Sequence, residues 1–121
     1  MTTPILLSVA AFLINVAVAG SVAVGLFAAL PRMDEVYGPD SAARRILACL
    51  YAAIAGASFV GLGALAFGAP QIALAIGAVL FPFQIAYKAA TLPAVGLGNP
   101  VVRANLFIIL PLAAATWAIW A

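Results

Sequence analysis

Gln84, Tyr87, Lys88 and Thr91 recur at i, i+3, i+4 and i+7, the spacing at which helical side chains share one face. An amide, a phenol, an ammonium and a hydroxyl on one stripe can hold a ligand by hydrogen bonds, with Lys88 offering a cation to an anionic lipid head group or similar molecule. Tyr51 and Asn105 stand at comparable depth on neighbouring segments. Gln84, Tyr87, Lys88, Asn105 and Tyr51 therefore form a candidate binding pocket. The plainer and preferred assignment has Lys88 snorkelling to the surface beside an interfacial Tyr87. Gln84 then satisfies the backbone where Pro82, lacking an N–H, frees the Ala78 carbonyl.

Reactive chemistry is scarce elsewhere. Histidine is absent, which removes histidine ligation of haem, most zinc sites and any Ser-His or Cys-His nucleophile. The single cysteine, Cys49, has no disulfide or CxxC partner, and beside Leu47, Ala48 and Leu50 it reads as a small hydrophobe. Asp34, Glu35 and Asp40, the only acids, share one segment with Arg32, Arg44 and Arg45. Mixed charges of this kind keep a loop solvated, and no metal-ligand spacing is present. No catalytic residue, metal or cofactor is expected, and the chain is not read as an enzyme. A net charge of +2 without a basic stripe gives nucleic acid nothing to bind.

The elements that position these residues follow from composition. Of the 121 residues, 68% are hydrophobic and 7% charged, where a soluble domain carries about a quarter charged. Four stretches lack charge altogether: Ile5–Leu30, Ile46–Phe67, Gln71–Tyr87 and Ala104–Ala121. About 20 apolar residues at about 1.5 Å each cross a bilayer core of about 30 Å. The expected fold is all-α, a polytopic membrane protein forming an up-down bundle of four transmembrane helices in a single domain, with helices near 5–30, 41–67, 70–91 and 100–120. Pro31 ends the first helix. Asp40 caps the second, with Gly68 as its stop. Pro70 and the Asn99-Pro100 pair open the third and fourth. Leu92–Asn99 is then an unusually apolar loop. Ala17-Val18-Ala19 resembles a signal-peptidase site, but no basic residue precedes Arg32, so the first segment is expected to be a retained helix.

All five basic residues, Arg32, Arg44, Arg45, Lys88 and Arg103, fall at one end of such a bundle. By the positive-inside rule the first and third loops face the cytoplasm of a bacterial inner membrane, and both termini face out. Trp117 and Trp120 then mark the outer interface.

In lipid, helices associate through small residues and interhelical hydrogen bonds. Ala17, Ser21 and Gly25 form one small-residue stripe on the first helix, and Ser8 and Asn15 lie on nearly the opposite face. The second span repeats the pattern with Ala53, Ala57 and Gly61, and with Ala52 and Gly56. A helix with two contact faces suits a non-catalytic accessory or assembly subunit of a larger membrane complex, respiratory or photosynthetic, whose partners are the bilayer and other subunits or further copies. The alternative is a small oligomeric transporter or channel using the inner-leaflet polar pocket. A proton-coupled pump wants an ionisable residue within the membrane. Mid-span this chain offers Asn15, and its one candidate cation is Lys88.

Overall fold

Hydrocarbon offers backbone amides no water, so a chain this apolar must satisfy them internally, and helices do so within each segment. In the computed structural model, which describes residues 1–121, every element is helical. The elements are α1 (Thr3–Phe27), α2 (Pro31–Tyr37), α3 (Ala42–Ala66), α4 (Pro70–Val95) and α5 (Pro100–Trp120). All but α2 are long and apolar enough to cross a membrane. The chain is a multi-pass membrane protein built as a four-helix bundle. α1 packs along α3 and α5, α4 packs on α3 and α5, and α1 also meets α4 across the centre. One end of the bundle carries α2 and the arginines. The other carries the tryptophans.

Several boundaries differ from the sequence expectation. The first span stops at Phe27, three residues before Leu30. Ala29 turns left-handed (φ 53°), and the Ala29 and Leu30 N–H groups donate back to the Leu26 and Gly25 carbonyls at 3.2 and 3.0 Å, closing the helix as a Schellman turn. Pro31 consequently opens a new helix instead of ending the old one, as its fixed φ permits at a first position. Ser41, not Asp40, caps α3: its Oγ accepts from the Arg44 N–H at 3.1 Å, while the Asp40 carboxylate is taken by Arg45 at 2.8 Å. α4 continues past Thr91 to Val95, with Pro93 inside its last turns. Gly96, at φ +99°, stops it. The apolar stretch Leu92–Val95 is thus helical, and the loop shrinks to residues 96–99. Gly68 (φ +77°) ends its helix as expected, and Asn99 accepts from the Val101 N–H at 2.8 Å ahead of Pro100.

The charged loop is more ordered than its composition suggests. Arg44 is 3% exposed. Its guanidinium donates to Asp34 and, at 2.7 Å, to the Gly38 carbonyl. Asn99 Nδ2 donates to the Val36 carbonyl at 2.9 Å, and Met33 seats on Gly25. These contacts strap α2 across the end of the bundle.

Toward the tryptophan end the core is aromatic. Phe12 and Phe81 are both 0% exposed, their ring centroids 5.0 Å apart. Glycine makes room for each ring. A Cβ on Gly61 would stand 2.6 Å from Phe12 Cζ, and one on Gly77 would stand 2.7 Å from Phe81 Cε2. Gly61→Val should therefore lower stability by about 1–3 kcal/mol through overpacking. Unfolding in mixed micelles measures this, and an unchanged midpoint would show that Phe12 does not occupy the Gly61 notch.

Pro82 does free the Ala78 carbonyl, but Gln84 does not take it. Trp120 Nε1 donates to it at 3.0 Å. The indole of α5 thereby closes the gap in α4, and Gln84 is left to bond inside the bundle.

Candidate functional site

The inward face of α4 runs through Ala73, Gly77, Phe81, Gln84 and Lys88, small near the tryptophan end, aromatic next, and polar toward the charged end. Each step of three or four residues returns the side chain to the same face.

At mid-bundle Gln84 meets Asn15 in a reciprocal amide pair. Asn15 Nδ2 donates to Gln84 Oε1 at 2.7 Å, and Gln84 Nε2 donates to Asn15 Oδ1 at 2.9 Å. Asn15 Nδ2 also donates to Ser58 Oγ at 3.0 Å. All three side chains are buried, so hydrogen bonds shielded from lipid join α1, α3 and α4.

One turn nearer the charged end, Lys88 is 5% exposed. It does not snorkel to the surface, because Asn105 Oδ1 accepts from its Nζ at 2.9 Å and the Tyr87 ring centroid lies 5.0 Å from it. Asn105 Nδ2 donates onward to Thr91 Oγ1 at 3.3 Å. The ion pairs of the chain all join Arg44 or Arg45 to Asp34 or Asp40; none reaches Lys88.

Under the strap, Tyr37 of α2 meets Tyr51 of α3 edge-on, hydroxyls 3.4 Å apart. Burial, reinforced by the neighbouring Tyr51, pushes the Tyr37 phenol well above its ordinary range. The Tyr87 hydroxyl is buried without any partner.

Two adjoining cavities lie among these layers. A cavity of about 80 Å³ is lined by Asn15, Gln84, Lys88 and Asn105. A larger one of about 360 Å³ lies beneath α2, against Tyr87 and Thr91. Tyr37, Tyr51, Val101 and Asn105 form part of both walls. Of the five residues of the expected pocket, Gln84 and Lys88 line the smaller cavity, Tyr87 the larger, and Tyr51 and Asn105 both. Tyr37 joins both walls unforeseen, and Ser58 joins the polar network through Asn15. Ser58 falls seven residues after Tyr51, with Ile54 between them on the same buried face, so helical periodicity carried a signal. Tyr37 had none, because nothing local says that a charged connection folds back over the bundle.

The small residues divide between two environments. Ser8, Asn15 and Gly61 face the interior, and Gly25 lies beneath Met33. Ala17, Ser21, Ala52, Ala53 and Gly56 are exposed on the outside, and Ala57 is half-buried.

A phenol held neutral by burial ties α2 to pH. The unfolded phenol ionises near pH 10, so the stability that docked Tyr37 contributes is intact below that pH. It is lost as the pH climbs toward the raised value of the folded state. Ultraviolet titration of wild type minus Tyr37→Phe should show no tyrosinate from Tyr37 at about pH 10.5. A difference signal with an ordinary midpoint would mean that α2 is not packed over the hollow.

None of the protein-family models, curated proteins or solved structures compared with this chain matches it.

Proposed function

We propose that the protein is a non-catalytic accessory subunit of a larger membrane complex, of respiratory or photosynthetic type, in a bacterial cytoplasmic membrane. In this reading the charged end with its arginines faces the cytoplasm, and both termini lie outside. The observation that carries it is the division of α1 into two faces. Ser8, Asn15, Ala19 and Ala23 are consumed inside the bundle, whereas Ala17, Gly20 and Ser21 line an open groove on the outside. Ser21 returns its hydroxyl to the Ala17 carbonyl, so the groove presents small side chains that let another helix's backbone come close. Lipid tails gain little from such a surface; a partner helix gains packing.

Extraction in mild detergent followed by native mass determination tests this. Co-migration with other subunits, lost in Ala17→Leu/Ser21→Leu, is the expected result. A lone particle of unchanged mass in both proteins would sink the reading.

The hollow around Lys88 supports a second reading, a small oligomeric transporter. The Asn15–Gln84 pair and the Phe12–Phe81 stack close the bundle axis beyond it, so a solute would have to pass between copies. Solute flux in liposomes holding only this protein favours that reading over the first.

A further inference from the structure

We infer that the two adjoining cavities under Tyr37 together bind an oxyanion borne on an apolar tail, with Lys88 of the smaller one as its counter-charge. The inference is independent of what α1 assembles with.

Lys88 is the starting point. An ammonium removed from water costs several kcal/mol unless an anion or a full set of acceptors compensates it. Here one acceptor does so, Asn105 Oδ1, and the face of Tyr87 adds a cation–π contact. Two of the three ammonium protons have no acceptor in the chain, and Lys88 belongs to no ion pair. A methionine would fill the same space without that cost.

The walls point to the sign of the ligand. No aspartate or glutamate lines either cavity. The polar groups that do include the Tyr87 hydroxyl, buried without a partner, and the Tyr51 hydroxyl, which accepts from Tyr37 and keeps its own proton free. Lys88 lines the smaller cavity, Tyr87 the larger and Tyr51 both; an ammonium and phenols in adjoining walls match a phosphate or carboxylate, whose oxygens are acceptors only. A cation would meet repulsion from Lys88 and no anionic ligand.

The remaining wall sets the shape of the ligand. Val36, Leu47, Val95 and Val102 line the larger cavity beside the phenols, and its volume of about 360 Å³ falls within the range of ordinary ligand pockets. An oxyanion at Lys88 with an apolar chain along these residues satisfies both parts. A membrane phospholipid supplies that chemistry, and so does a free oxyanion occupying the polar part alone.

The test uses the full chain in neutral detergent and native mass spectrometry with three probes: phosphatidic acid, phosphatidylcholine and inorganic phosphate. Wild type should retain phosphatidic acid in preference to phosphatidylcholine. Lys88→Met should weaken that retention about tenfold and Tyr87→Phe about threefold. Lys88→Met removes a buried charge but deserts the buried Asn105 Oδ1, so its folding is checked by melting in lipid-free detergent, and Tyr87→Phe, whose hydroxyl has no partner, gives an independent reading if it does not fold. Displacement of phosphatidic acid by inorganic phosphate assigns the site to free oxyanions. Its persistence assigns the site to lipid. Equal retention of both lipids, or retention unchanged in the folded variants, overturns the inference.

Discussion

Asn15→Leu should destabilise the bundle by about 2 kcal/mol or more, while Asn15→Leu/Gln84→Leu should cost less than either single substitution. The single change leaves the Gln84 amide, and with it Ser58, facing leucine inside the bundle. Each deserted polar group costs about 1–3 kcal/mol, well above the roughly 0.6 kcal/mol that an average interhelical hydrogen bond contributes in a membrane. Removing both amides removes the penalty, because Gln84 bonds to no side chain other than Asn15. Ser58 alone remains to be satisfied, and a serine can return its hydroxyl to its own helix. Equilibrium unfolding in mixed micelles, run as a double-mutant cycle, measures the coupling. Additive costs would show that the amides do not meet.

A second large effect is expected at the other core layer. Phe12→Ala should cost about 3–5 kcal/mol, the range for deleting a fully buried aromatic side chain. Lipid cannot refill the space, since the ring lies inside the bundle against Phe81 and in the notch of Gly61. That notch also predicts a rescue. A side chain added at Gly61 enters the volume that Phe12 occupies, so Gly61→Val, destabilising on its own, should recover part of the loss in the Phe12→Ala background. Thermal melts of the four proteins in one detergent decide it. If Gly61→Val worsens the Phe12→Ala variant, the notch and ring are not complementary.

Both effects depend on the same division of labour along α1. In water, burying Phe12 would be favourable wherever it went. In hydrocarbon the ring gains little from leaving lipid, and close contact with Phe81 and Gly61 decides its position. The polar trio one turn away then fixes rotation and register, because sliding α4 by one turn would strand Gln84 beside apolar side chains.

Much of this was legible in the linear chain. Uncharged runs locate the four spans, since bilayer thickness imposes a length and hydrocarbon forbids charge. Pro70, Gly68 and Asn99-Pro100 punctuate them through rules that act within a few residues: an absent N–H, a positive φ, an amide that caps. The grouping of Gln84, Lys88 and Thr91 on one side of α4 needed only the helical repeat. Placing Tyr51 and Asn105 at the same level needed only membrane depth, which span length supplies.

Contacts between segments far apart in sequence could not be read that way. Whether Gln84 turns to the Pro82 gap or to Asn15 depends on Trp120, which reaches the Ala78 carbonyl from the end of α5. Whether Lys88 snorkels or stays inside depends on Asn105 and on the α2 strap, held by Arg44 and Asn99. The strap's own tyrosine then completes the hollow. A helical repeat tells which residues share a face but not which neighbour that face meets, so the membrane bundle belongs to the sequence and the cavities beside Lys88 and Tyr37 to the packing of its helices.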